Sequence, residues 1–300
     1  MKKIQVLMST YNGEKYLDEQ IESLIAQKSV KVLILVRDDG STDNTIAKLK
    51  KWESLGILNW YAGENLKPAR SFMDLIKNAP KADYYAFCDQ DDVWDKDKLK
   101  IAVTMLEKFD DKEPGLYFSN TRLVNRDLTL IKSKRHKPKI TLGSALIINP
   151  VTGCTEVFNH ALIEIIRKYD NMNLYMHDSW TYKLCMAIGG NIVFDEIPHI
   201  AYRQHGNNVV GGKSNIYKKY KRRVKNVLTE RKRIREKDAI ELIKRYSDLI
   251  PQKNLVTIKK VAFYRRSIKN KIDLLFDRDI KTNSLEHNFA FFCAVLFNAF

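Results

Sequence analysis

The stretch Tyr84-Tyr-Ala-Phe-Cys88, followed at once by Asp89-Gln90-Asp91-Asp92, sets five apolar or aromatic residues against three carboxylates within four positions. An unbroken apolar run of this length reads as a strand buried on both faces, the kind found in parallel sheets covered by helices. In an open α/β sheet, ligands bind beyond the carboxyl ends of the strands, and that is where the carboxylates fall. Crowded together they repel one another and need a compensating cation. Aspartates alone suit a hard ion such as Mg²⁺ or Mn²⁺, which takes oxygen ligands and commonly shares them with phosphate. The plain alternative is a solvated acidic loop capping a helix that starts near Asp95.

Upstream, Ile4-Gln-Val-Leu-Met8 reads as a buried strand ending at the turn cluster Ser9-Thr10-Tyr11-Asn12-Gly13. Residues 14–27 have helical spacing. Val30 to Val36 is a second buried strand, broken by Asp38-Asp39-Gly40, with a helix following to about Ser54. A third strand is expected over 57–61, a short helix from Arg70 to Asn78, and another helix over 95–109. This alternation predicts an α/β fold, a mostly parallel sheet with helices on both faces. Three polar clusters close three strands and should share one crevice. Further on, strands are expected over 115–124, 128–131 and 151–157, and a basic loop over 132–142. Helices are expected over 159–169 and from His177, and short strands over 191–194 and 197–203.

Neither GxGxxG after the first strand nor GxxxxGK[ST] is present, which disfavours a dehydrogenase and a P-loop ATPase. The four cysteines form no CxxC pair and read as reduced thiols. A carboxylate at Asp38 or Asp39 could accept the imide N–H of uracil or thymine; a plain Asp-Gly turn is the alternative. Asp178, at the start of a helix, is either an N-cap or a general base for an acceptor hydroxyl. His205, in the polar run Arg203-Gln-His-Gly-Asn-Asn208, reads as structural or as a metal ligand.

Taken in order, Met8–Gly13, Asp38–Asn44, Asp89–Trp94, His177–Trp180 and Tyr202–Gly211 resemble the motifs of inverting family 2 glycosyltransferases with the GT-A fold. The Asp89 and Arg203 motifs are most similar to bacterial rhamnosyltransferases of cell-wall or capsular polysaccharide. The resemblance implies a nucleotide-sugar donor, dTDP- or UDP-linked, and a glycan or lipid-linked glycan acceptor. It implies that Thr10, Tyr11, Asn12, Asp39 and Arg70 belong to the nucleotide site. Asp89 would contact ribose or sugar. Asp91 would hold the Mn²⁺ or Mg²⁺ diphosphate, with His205 as a further metal contact, and Asp178 would be the catalytic base. Two positions depart from the family pattern: Lys67 stands where glycine is frequent, and Ser179 where an aromatic is frequent. The expected organisation is a GT-A catalytic domain over 1–212, with a nucleotide-sugar half (1–115) and an acceptor half (116–212), then a basic helical region over 213–300. A non-catalytic glycan-binding or membrane module on the same fold is the reading from another class; the complete Asp89, Asp91 and Asp178 set speaks against it.

The formal net charge is +16. Between Lys213 and Arg245 there are fourteen Lys or Arg against four acids, so this region reads either as a solvated helical face or as a surface for an anionic partner. An anionic membrane surface is the expected one; nucleic acid is not, because no reader motif is present. The chain begins without a long apolar leader, which suggests a cytoplasmic protein, peripheral at the inner face of the plasma membrane. The twelve residues Phe289–Phe300 are its most apolar stretch, too short for a membrane span of roughly 20, and read as an interfacial or a core helix.

Overall fold

The computed structural model describes residues 1–133, 137–168, 174–204 and 233–300. His205 and most of the basic stretch after Lys213 lie outside the described residues. The chain forms two compact units. The first comprises Met1–His136, Val151–Asp178 and Asn191–Asn208; the second comprises Lys137–Pro150, Ser179–Gly190 and Val209–Phe300.

The first unit opens with β1 (Lys3–Thr10), α1 (Leu17–Ile25), β2 (Lys31–Asp38), α2 (Thr45–Ser54), β3 (Asn59–Ala62), α3 (Lys67–Asn78), β4 (Tyr84–Cys88), β5 (Val93–Trp94) and α4 (Lys98–Leu106). It continues with β6 (Gly115–Ser119), β7 (Arg122–Val124), β8 (Leu130–Ser133), β9 (Val157–Asn159) and α6 (His160–Arg167). The start of α7 (His177–Ala187), then β10 (Asn191–Asp195) and β11 (Ile200–Arg203), complete it. Seven strands form one sheet in the order β10-β6-β9-β4-β1-β2-β3. All its pairings are parallel except those of β9, which runs against both β4 and β6. A smaller sheet has the order β5-β11-β7-β8.

The register places the candidate residues. Thr10 lies opposite Asp38 and Met8 opposite Cys88, so β4, β1 and β2 end side by side at the same edge. Both faces of these strands are buried, since all of β4 is buried, as are Ile4, Val6, Leu7, Met8 and Val36, so a one-residue slip would set each side chain into the packing of the opposite face. The apolar face of α1 (Leu17, Ile21, Leu24) packs into the same core as Trp94, Leu99 and Val157.

Two expectations need correction. Residues 115–124 are not one strand. Asn120 breaks the run by bonding out of it: its N–H donates to the Asp195 carbonyl at 3.1 Å and its side-chain amide to the Glu196 carbonyl at 2.9 Å. The chain then switches sheets between β6 and β7. Residues 151–157 are not a strand either. Gly153–Thr155 is a 3₁₀ turn, pinned by Thr155 Oγ1 donating to the Thr152 carbonyl at 2.7 Å, and strand geometry begins only at Val157.

The second unit contains α5 (Leu142–Ile147), the rest of α7, α8 (Ile234–Tyr246), α9 (Gln252–Phe263), α10 (Ile268–Leu275) and α11 (Leu285–Leu296). Lys183 and Asp238 form a buried ion pair of 2.5 Å within it. The Asn254 amide donates to the last carbonyls of α7, at 2.9 Å for Ala187. No described helix is long and apolar enough to cross a membrane.

Candidate functional site

At the ends of β1 and β2, nearly every polar group is used by the protein itself. Asp38 is fully buried and takes four hydrogen bonds. The N–H groups of Gly40 and Ser41 donate to its Oδ1 at 3.1 and 2.8 Å, and the hydroxyls of Thr10 and Ser41 to its Oδ2 at 2.9 and 2.6 Å. Asn12 has φ +49°, which asparagine tolerates, and its Oδ1 accepts from Thr42 N–H at 2.8 Å while its own N–H donates to Ser41 Oγ at 2.9 Å. Asp39 is buried against Arg37 and takes the N–H of Lys67 at 2.9 Å. Lys67 has φ +65°, so this chain places a lysine in the left-handed region that glycine adopts without cost. Tyr11 is exposed beside this edge, and Arg70 is exposed on α3.

Gln90 ties this edge to the acidic cluster. Its Oε1 accepts from Tyr11 N–H at 2.9 Å and its amide donates to the Tyr11 carbonyl at 3.0 Å. Gly13 makes the closeness possible, since a Cβ there would lie 2.2 Å from Gln90 Oε1. The motif signalled the aspartates around Gln90 but not this strap.

The acidic cluster itself is under electrostatic load. Burial first, then the charges of Asp91 and Asp178, push the Asp89 carboxyl up to about 7. Burial and the charges of Asp91 and Asp89 hold Asp92 well above the usual carboxylate range. Asp92 Oδ1 accepts from Arg203 N–H at 3.0 Å, while its Oδ2 is buried without a hydrogen-bond partner among the described residues. Donor atoms of Asp89, Asp92 and Cys154 all lie within 4.8 Å of one another. Burial holds the Cys154 thiol protonated, so the cluster offers oxygen donors. Crowded carboxylates with an orphaned buried oxygen fit a hard divalent cation.

Three flanking residues had no role assigned from sequence, although Tyr202 and Arg203 stand in the Tyr202–Gly211 motif. Lys98 is fully buried, its Nζ 3.4 Å from the centroid of the Trp94 ring, and burial lowers its pKa to about 8 despite opposing pulls from Cys154, Cys88 and Asp92. It adds partial positive charge beneath the cluster. Arg203 is buried and cross-links the region: Nε donates to the Asp91 carbonyl at 2.8 Å, the guanidinium sits 4.4 Å over Tyr16, and it pairs with Glu19. Tyr202 is held protonated by burial and by Asp89, Cys154, Asp92 and Asp91.

Asp178 is buried on the first turn of α7, and its charge reaches Asp89. The structure therefore brings Asp89, Asp91 and Asp178 into one electrostatic field. His177 beside it is a wedge: its ring stacks on Phe72 at 3.9 Å and meets Phe87 edge-on at 4.7 Å, and burial pushes its pKa down to about 3. Gly153 lets the 3₁₀ turn close on this pair, since a Cβ there would lie 2.9 Å from His177 Nε2 and 3.3 Å from Asp178 Cβ. Just after that turn, Glu156 is fully buried with both carboxyl oxygens unpartnered among the described residues. Burial, and then Asp178, hold its pKa well above the usual range.

The strands and loops just described coincide with a known family. The glycosyl transferase family 2 profile matches residues 5–195. The chain is 29% identical over 237 residues to the dTDP-rhamnosyl transferase RfbG of Shigella flexneri, covering 72% of this chain and 77% of that protein. In fold it is similar to S. aureus TarS 1–349 in complex with UDP-GlcNAc, with TM-score 0.57 and 18% identity over 97% of this chain and 79% of that one. It is also similar to the mannosyltransferase PcManGT from Pyrobaculum calidifontis in complex with GDP-Man and Mn²⁺, with TM-score 0.56 and 18% identity over 91% and 72% of the two chains. Because the profile runs unbroken from β1 to β10 and takes in Asp39, the acidic cluster and Asp178, the chain belongs to glycosyl transferase family 2, and within it resembles a rhamnosyltransferase.

Proposed function

We propose that the chain is an inverting hexosyltransferase that moves L-rhamnose from dTDP-rhamnose to a hydroxyl of a glycan or lipid-linked glycan in bacterial surface polysaccharide synthesis. The observation that carries this is the shared field of Asp89, Asp91 and Asp178 at the carboxyl end of β4. A base at Asp178 beside carboxylates that would hold a cation is what a single displacement requires. The rhamnosyl donor is supported by the likeness to RfbG.

Asp39, with Thr10, Tyr11, Asn12 and Arg70 around the same edge, would form the nucleoside side of the site. Asp89 would meet the ribose or sugar. Asp89 and Asp91 would hold a divalent cation, with His205 from outside the described residues; PcManGT, on the same fold, binds Mn²⁺. Such a cation, when bound, neutralises charge on the departing diphosphate. Asp178 takes the proton of the acceptor hydroxyl as its oxygen bonds to the anomeric carbon. The bond from that carbon to the diphosphate oxygen breaks, and configuration inverts without a covalent sugar–enzyme intermediate. A UDP-hexose donor is the second reading, since TarS binds UDP-GlcNAc on this fold. Cytoplasmic location, with the acceptor presented at the inner face of the plasma membrane, goes with both.

A thermal-shift screen of dTDP-rhamnose, UDP-glucose, UDP-galactose and GDP-mannose with Mn²⁺ or Mg²⁺, followed by donor hydrolysis, tests the assignment. The largest shift and turnover are expected with dTDP-rhamnose. A preference for UDP-hexose replaces the donor, and no turnover with any of them refutes the enzyme reading.

A further inference from the structure

Gln90 stands between Asp89 and Asp91, yet its side chain is committed to the loop after β1. Its amide clasps one residue from both sides: Oε1 accepts from the Tyr11 N–H at 2.9 Å, and Nε2 donates to the Tyr11 carbonyl at 3.0 Å. The two bonds have opposite polarity, so a single orientation of the amide satisfies both. They occupy both backbone polar groups of Tyr11 and leave its side chain 49% exposed. Gly13 closes the clasp. A Cβ there would lie 2.2 Å from Gln90 Oε1 and 2.5 Å from its Cδ, so the glutamine fills the place of that missing side chain. Gly13 is not in the left-handed region, so the glycine serves this contact and not a turn of its own.

The same loop is tied on its other side to the end of β2. The Asn12 N–H donates to Ser41 Oγ at 2.9 Å, the Gly13 N–H to Thr45 Oγ1 at 2.8 Å, and the Asp39 N–H to the Thr10 carbonyl at 2.8 Å. Tyr11 is therefore held between two anchors. One is the turn that carries Asp39; the other is Gln90, flanked by the two carboxylates proposed to hold the cation. We infer that Gln90 is a positioning residue that couples the two parts of the donor site. As Asp89 and Asp91 close on a cation, the clasp fixes Tyr11 where the nucleoside meets it. The ordering of the loop is then shared by two ligands, so each raises the affinity for the other, and by the same factor. The inference rests on the proposed cation role of Asp89 and Asp91 and the nucleoside role of Tyr11.

The test uses the full chain and thymidine, which has the base and sugar of the proposed donor nucleotide but no phosphate to bridge to a cation; uridine takes its place if UDP proves the better nucleotide. Isothermal titration in EDTA and in saturating Mn²⁺ reads the coupling as the ratio of the two Kd values. Wild type is expected to bind the nucleoside about fivefold more tightly with Mn²⁺, at the low end of ordinary coupling between sites. In Gln90→Ala the ratio should fall to about one. Gly13→Ala keeps the glutamine but fills the space of its amide, and should abolish the coupling by a separate route. Melting curves confirm that each variant is folded. Binding of dTDP is the control: its diphosphate meets the cation directly, so Mn²⁺ should tighten it in wild type and in both variants. Equal nucleoside affinity with and without Mn²⁺ in wild type overturns the inference. So does a wild-type ratio in either folded variant, and so does an absence of nucleoside binding where dTDP binds. If wild type binds neither dTDP nor UDP in Mn²⁺, the nucleotide-sugar reading itself falls, and this inference with it.

Discussion

Two neighbouring edges of the first unit treat polar atoms in opposite ways. At the ends of β1 and β2, Asp38, Asn12, Ser41 and Gln90 bond to each other or to backbone until little capacity remains. Beyond β4, Asp92 Oδ2, Lys98 Nζ and both oxygens of Glu156 are buried without hydrogen-bond partners among the described residues, and the Asp89 carboxyl is pushed up by burial and then by its like-charged neighbours. Burying a polar group without a partner costs free energy, so a folded chain tolerates it where something else benefits. The first edge is therefore scaffold, and the second is where chemistry is expected. Asp38 and Asp39 belong to the same satisfied edge: the first is taken up by the turn, the second by Arg37 and the Lys67 N–H.

The largest expected effect falls on the strained edge. Asp178→Asn keeps shape and removes the proton acceptor, so transfer should fall by about 10²–10⁴-fold while the thermal shift with donor nucleotide stays near wild type. Turnover within a few-fold of wild type would take the base role away from Asp178. Next is Asp89. Its carboxyl is raised from the usual 3.8 to about 7 in the folded chain, chiefly by burial and then by Asp91 and Asp178. The folded state therefore holds the proton more tightly than the unfolded state. That advantage is fully present below about pH 4 and is lost as pH rises through about 7. Between those limits wild type should lose stability with rising pH relative to Asp89→Asn, and Mn²⁺ or Mg²⁺ should narrow the gap. Parallel melting curves with EDTA in place of the metal decide it; identical pH slopes for the two proteins would falsify the strain.

On the scaffold edge the expected loss is in stability. Asp38→Ala removes a carboxylate that accepts four hydrogen bonds and leaves their donors buried, which should cost about 3 kcal/mol in chemical denaturation. Gln90→Ala should cost less, about 1–2 kcal/mol, because its bonds to Tyr11 are more open to water. Were Asp38→Ala to abolish donor binding with stability intact, the division between scaffold and site would fail.

How much of this was readable beforehand depended on whether the signal was local. The β4 strand and its carboxylates were legible because burial on both faces leaves an unbroken apolar run, and repulsion among adjacent acids is visible in one dimension. The side-by-side endings of β1, β2 and β4 followed from alternating strands and helices. The β6–β7 break was not legible, because it depends on Asn120 bonding to Asp195 and Glu196, some 75 residues away. Lys98, and the packing role of Arg203 within its motif, were hidden for a similar reason. Each looks like an ordinary surface cation until tertiary packing sets it over an aromatic ring. Lys67 shows the reverse: its departure from the family's glycine is plain in sequence, but its φ of +65° shows what the position demands.

Glu156 carries an expected effect as small as that of Gln90, with the opposite sign. It is fully buried, neither oxygen has a hydrogen-bond partner among the described residues, and burial and then Asp178 hold its carboxyl well above the usual range. A side chain in that position should weaken the fold, because its carboxyl is either desolvated as an anion or held protonated without an acceptor. Glu156→Met keeps the length and removes the polar atoms, so the unliganded protein should gain about 1–2 kcal/mol in urea unfolding. Asp38→Ala, a single change on the other edge, should move the same measurement the opposite way. A loss of stability in Glu156→Met would mean that the carboxyl finds a partner in solution, and would move Glu156 from the strained edge to the satisfied one. If the gain in stability comes with slower transfer, the buried acid is retained for its effect on Asp178 rather than for the fold.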